Sequence, residues 1–94
     1  MNLSGAGLTR AQLTRASLAD ASLYGADLSG AQLYGADLSG ASLNDVNLTD
    51  ADPTGADLTD AVWPPGTPVP VGWQRDDSGH LARAYSSRGG EANW

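Results

Sequence analysis

The residues of this chain with the widest chemical reach are one His, ten Asp and one Glu, set against five Arg and no Lys. A hydrolytic triad would need His80 beside a serine and a carboxylate, and Asp76, Asp77 and Ser78 stand close to it in the stretch "QRDDSGHL". Closeness in sequence is not triad geometry, and a solvated polar turn accounts for the same four residues. The Asp-Asp-Ser run also lacks the twelve-residue spacing and closing Glu of a calcium loop. The chain has no Cys, so no thiolate metal site or disulfide framework is available. The expectation is no enzyme, no metal and no cofactor.

The carboxylates make a better lead. Residues 1–63 hold eight Asp and two Arg, which gives them the whole net charge of −6, whereas residues 64–94 are neutral. An acidic surface argues against direct nucleic-acid binding, which needs a basic footprint. It suits a protein partner with a basic face. No basic stretch leads into an apolar run at the start of the sequence, and no apolar stretch approaches the ~20 residues of a membrane span. The expectation is a cytoplasmic protein that contacts no membrane.

What positions the carboxylates is a repeat. Leu3, Leu8, Leu13, Leu18, Leu23, Leu28, Leu33, Leu38, Leu43, Leu48 and Leu58 fall at five-residue intervals, with Pro53 in the single missed slot. From Leu8 on, Ala precedes each centre by two positions, with Val46 in the one gap. Asp, Asn, Gln or Ser usually comes just before the Leu, and Gly, Asp or Arg two positions after it. A period of five fits neither a helix nor a flat strand, and the recurrent Gly, Ser and Asp disfavour a helix. A chain that turns after every short extended segment fits, with Ala and Leu inward and the other three residues outward or at the corner.

Residues 1–63 resemble the pentapeptide-repeat family, carrying twelve consecutive units of the form A-(D/N/S/Q)-L-(S/T/Y)-(G/D/R) and the start of another. The resemblance implies an all-β fold, a right-handed quadrilateral parallel β-helix of about three coils with twenty residues per coil. Residues twenty apart then stack, and Leu3, Leu23, Leu43 and Trp63 share one inner column. The same arithmetic puts Asp20, Asp37, Asp57 and Asp60 on the fourth face, the acidic face expected to bind a partner. Asp27 and Asp50 fall on the second face, Asp52 on the third and Asp45 on the first. Tyr24 and Tyr34 land on opposite faces, so they cannot form one aromatic platform.

The repeat ends at Trp63, and the expected division is a β-helix over 1–63, a capping segment over 64–84 and a Gly-containing tail over 85–94. Trp63 replaces Leu in its column and, with Trp73, is expected to cap the open core. Four Pro between 64 and 70 favour an extended run, after which Val69, Val71 and Trp73 would fold back over the last coil. Asp77-Ser78-Gly79 suits a hairpin, with a short helix after Ser78 as the competitor. The spacing W-P-x-G, G-W, G-x-L resembles the ending of actinobacterial pentapeptide-repeat proteins.

Three functions follow from these features. The first is a scaffold that docks a protein partner through its acidic faces or through the coil end at Leu3, Leu8, Leu13 and Leu18; that apolar end would also serve homodimerisation by end-to-end stacking. The second is a leader or carrier for a peptide-modifying enzyme, with Gly89, Gly90, Glu91, Ala92, Asn93 and Trp94 as the altered segment, since a Gly-Gly step gives reach. The third is a DNA mimic. The family includes members that confer fluoroquinolone resistance by occupying the DNA surface of a type II topoisomerase. Here the charge density passes, because ~14 Å of duplex carries roughly eight charges. The length falls short, since three coils at ~4.8 Å each span about four base pairs.

Overall fold

The structure is a computed structural model that describes residues 1–84. Residues 2–62 form a β-solenoid in which parallel bridges join each position to the one twenty residues on: Asn2 to Ser22 to Ser42 to Val62, Gly7 to Asp27 to Asn47, Gln12 to Gln32 to Asp52, and Ser17 to Asp37 to Asp57. From Ser22 on, each bridged residue both donates to and accepts from the level below it. Asp27 donates its amide to the Ala6 carbonyl at 2.9 Å and accepts the Leu8 amide at 2.8 Å.

Every unit makes the same corner. The amide of Ala6 donates to the Leu3 carbonyl at 3.0 Å, and the equivalent bond recurs through to Ala61 and Leu58, also at 3.0 Å. The third residue of each such turn has a φ between +59° and +73°, the left-handed conformation that a type II turn requires at that place. Gly fills six of these twelve slots; Arg10, Arg15, Asp20, Asp45, Asp50 and Asp60 fill the others. Three of the glycines also serve as seats. A Cβ on Gly30 or Gly35 would meet Cγ of Arg10 or Arg15 below it at 3.2 and 3.3 Å, and one on Gly40 would collide with the Asp20 carboxylate.

The inward Ala and Leu build the core. Leu23, Leu28, Leu33, Leu38, Leu43 and Leu58 are fully buried, and no polar side chain is buried among the described residues. Leu3, Leu8 and Leu13 at the first level are half-buried, and so is Leu48 at the last.

Beyond the repeat, residues 63–84 are built of turns. The run from Pro64 is not extended throughout, as its composition suggests. Pro64-Pro65-Gly66-Thr67 closes a turn, with the Thr67 amide on the Pro64 carbonyl at 3.3 Å and Gly66 at φ +83°. Pro at the second position and Gly at the third are what a type II turn selects. A second turn follows at Pro70-Val71-Gly72-Trp73, with a 3.2 Å bond and Gly72 at φ +92°. Val71 therefore sits at a turn tip and is fully exposed, at 102%, instead of folding back over the coil. Val69 and Trp73 do pack against the core.

The hairpin forms rather than the helix. β1 (Trp73–Arg75) and β2 (Leu81–Arg83) pair antiparallel, with Trp73 opposite Arg83. Gly79 supplies the left-handed residue of the connecting loop at φ +86°, the usual device for a three-residue hairpin loop. Leu81 is fully buried. Its amide donates to the Ala61 carbonyl and its carbonyl accepts the Asp60 amide, both at 2.9 Å. The hairpin thus joins the solenoid ladder at one side.

Candidate functional site

The carboxylates fall into two structural sets. Those just before the Leu lock the following turn. Oδ1 of Asp27 accepts the amide of Ser29 at 3.0 Å and its hydroxyl at 2.7 Å. Asp37 does the same for Ser39, Asp52 for Thr54 and Asp57 for Thr59. Asn47 makes the same pair with Thr49, so the motif needs an acceptor oxygen and not a charge. These are Asx turns. Their bonds favour the ionised form: the Ser29 amide and hydroxyl hold Asp27 below the ordinary carboxylate value of 3.8, the Thr54 hydroxyl and amide do so for Asp52, and those of Thr59, aided by Arg83, do so for Asp57.

The second set, Asp20, Asp45, Asp50 and Asp60, occupies left-handed corner slots. Asp is among the residues that visit this region most readily. None of these four has a basic partner in an ion pair among the described residues.

On the fourth face, Asp37 and Asp57 are bridged neighbours in one column, while Asp20 and Asp60 flank Gly40 in the next. The face is not unbroken acid, because Arg83 of β2 lies near enough to Asp57 to lower its pKa and also stacks 4.7 Å above the Trp73 ring. Charge is graded along the axis. Residues 1–20 carry +1, residues 21–40 carry −2 and residues 41–60 carry −5. Acidity is thus concentrated at the level nearest the tail.

The remaining sequence-level candidates separate. Nδ1 of His80 lies 3.9 Å from Oδ1 of Asp76, and that oxygen already accepts the amides of Ser78 and His80 at 2.8 and 2.9 Å. The Asp-Asp-Ser-Gly-His stretch is thereby accounted for as a hairpin loop. No cluster of three metal-ligating side chains occurs among the described residues. Tyr24 and Tyr34 are each about half exposed, at 54% and 53%. Gly89, Gly90, Glu91, Ala92, Asn93 and Trp94 lie outside the described residues. No helix among the described residues is long and apolar enough to cross a membrane.

At the tail side, Trp63 is buried at 3% exposure and donates Nε1–H to the Pro68 carbonyl at 3.1 Å. Arg75 clamps it from outside, Nη1 donating to the Trp63 carbonyl at 2.8 Å and Nη2 to the Pro64 carbonyl at 3.2 Å. Residues 63–84 do not cover the whole last level. Between residues 46–53 and residues 66–71 lies a groove of about 550 Å³ with a mostly apolar lining.

The match to known proteins rests on this register of fives and twenties. The family model for pentapeptide repeats matches residues 2–40 and 36–62, in eight copies. The chain belongs to the pentapeptide-repeat family. Among solved structures, this pentapeptide-repeat protein is similar to Rfr23, a pentapeptide repeat protein from the cyanobacterium Cyanothece 51142, at 44% identity and a TM-score of 0.63, over 66% of this chain and 43% of that one. It is likewise similar to HetL from the cyanobacterium Nostoc sp. strain PCC 7120, at 42% identity and a TM-score of 0.66, over 70% of this chain and 31% of that one. HetL is described as involved in the regulation of heterocyst differentiation. The chain spans less than half the length of either protein. No curated protein matches it.

Proposed function

We propose that this pentapeptide-repeat protein is a non-enzymatic scaffold: three coils over residues 1–60, closed by residues 63–84, docking a protein partner through the acidic fourth face. The observation that supports this is the stacking of Asp37 on Asp57 with one oxygen of each tied into its own turn. The second oxygen of each takes no part in that turn. Fixed, aligned charges favour a basic partner surface by raising the encounter rate and setting register more than by adding raw affinity. The axial gradient of charge favours a localised basic patch over imitation of a uniform duplex.

Asn can replace Asp at every position of this face without disturbing the backbone, since Asn47 makes the same turn bonds and Asn also tolerates the left-handed region. The Asn variant of Asp20, Asp37, Asp57 and Asp60 therefore removes charge alone. Captured partners should be lost from that variant and, with wild-type protein, released as salt rises from about 50 to 500 mM, well past the point where a ~10 Å screening length applies. Equal capture by both proteins at all salt concentrations would contradict docking by this face. A second copy stacked on the half-buried Leu3, Leu8 and Leu13 is the other reading that burial supports. Light scattering of wild type against Leu8→Lys separates the two.

A further inference from the structure

The last level of the solenoid is covered unevenly. Its amides are paired at Leu43, which donates to the Val62 carbonyl at 3.0 Å, and at Asp60, which donates to Leu81. In the levels beneath, Leu28 donates to Asn47 and Gly30 to Thr49, each at 2.8 Å, and Asn47 donates to Ala26 at 3.0 Å. The same pattern one level higher would use the amides of Leu48 and Asp50 and the carbonyl of Val46. Among the described residues these three groups have no backbone partner. Leu48 is only half-buried where Leu43 and Leu58 are fully buried. The three residues that carry these groups line the groove, together with Pro68, Val69 and Pro70.

An unpaired strand edge beside an apolar floor is the arrangement that captures an extended peptide by strand addition, main-chain bonds giving affinity and alternate side chains giving specificity. The charge around it selects the occupant. Residues 41–60 carry five Asp and no cation, and Asp50 lines the groove. Arg75 is held on the carbonyls of Trp63, Pro64 and Thr67 and Arg83 on the Trp73 ring, and neither lines the groove. We propose that the groove between residues 46–53 and 66–71 binds an extended Lys- or Arg-bearing segment of a partner protein, added as a parallel strand on Val46–Asp50. One residue of that segment donates to the Val46 carbonyl and accepts the Leu48 amide, and the carbonyl two residues on accepts the Asp50 amide. Successive side chains alternate, so an apolar residue falls over Leu48 and its basic neighbours face outward, towards Asp50. This deepens the reading of a partner-docking scaffold but uses a surface other than the fourth face, and the two fail separately.

The test uses the full chain, ¹⁵N-labelled for amide shifts, and a fluorescein-labelled octapeptide of alternating Lys and Val. Two controls accompany it: the Glu-Val counterpart, and a Lys-Val peptide N-methylated at alternate residues. The Lys-Val peptide should bind at least tenfold tighter than either control and should shift the Leu48 and Asp50 amides. Asp50→Arg should weaken it at least fivefold. That variant keeps its fold because Arg10 holds the equivalent corner two levels below at the same φ of 60°. The Asn variant of Asp20, Asp37, Asp57 and Asp60 should retain most of the affinity. Binding that survives N-methylation, or is indifferent to Asp50→Arg, would overturn the proposal. Leu48 and Asp50 amides already protected without peptide would overturn it too, since residues 85–94 or a second copy would then own the groove.

Discussion

The repeating body and the turn-built tail solve one backbone problem under different conditions. Both need residues at positive φ. In the body, Arg or Asp fills half of those corners, at φ values near 60°. In residues 63–84 all three, Gly66, Gly72 and Gly79, are glycine, at φ from 83° to 92°. Each Arg or Asp corner adds to its own closing bond at least one bond to a neighbouring level, as when Arg10 donates to Ser29 and Thr49, beside Asp50, accepts the Gly30 amide. Strained conformations persist where the surroundings over-determine them. The turns at Gly66, Gly72 and Gly79 lie outside the ladder of stacked corners, so they need a residue that takes the conformation at no steric cost.

The sharpest way to break this contrast is in the core. Leu33→Ala removes a fully buried side chain between two levels and should cost about 3 kcal/mol in urea denaturation, within the range known for such cavities. Leu48→Ala, at the uncovered edge, should cost about half as much. Equal losses would mean that the last level is as well packed as the middle one.

The next effect lies in the clamp. Arg75→Ala deletes the bonds to the Trp63 and Pro64 carbonyls and should cost about 1.5 kcal/mol, the order expected for hydrogen bonds from a charged donor. Arg75→Lys should rescue little, because an ammonium cannot reproduce the planar fork.

A smaller effect compares corners directly. Gly25→Asp faces open space at φ +69°, in a slot that Asp45 fills one level above at φ 59°; thermal melts should shift by less than the equivalent of about 0.5 kcal/mol. Gly66→Ala, at φ +83° in a turn outside the ladder, should lose about 1 kcal/mol. The reverse ranking would sink the account of over-determined corners.

The smallest effect is in pH. The folded-state pKa of Asp27, Asp52 and Asp57 lies below 3.8, so their ionised forms stabilise the fold above the unfolded value. That contribution fades as pH falls from about 4 through the lower folded values. Asp52→Asn should flatten the stability profile below pH 4. A profile identical to wild type in acid would remove this role for the Asx turn.

The body was legible in the sequence because one five-residue rule specifies every corner, inward residue and ladder partner. The Asp, Asn, Ser and Thr pattern around each Leu was visible, but not that Asp27 and Asp37 bind their own turns. Seeing that requires pairing the acceptor before each Leu with the hydroxyl after it. In the tail, Pro64-Pro65-Gly66-Thr67 spells a type II turn that the count of prolines obscures, and Val71 follows from its place at a turn tip. Leu81 carries no periodic signal, because its burial depends on the hairpin reaching Ala61. The groove was illegible for the same reason. It exists because the hairpin pairs with residues 60–62 and, among the described residues, nothing pairs with the edge at residues 46–50.

Amide hydrogen exchange tests this uneven closure most directly. Leu28 and Gly30, bonded to Asn47 and Thr49 in the next level, should exchange at the slow rate of the whole body. Leu48 and Asp50, one level higher at the groove, should exchange at least a hundredfold faster. Equal protection of the two pairs would contradict an open edge and the docking surface built on it.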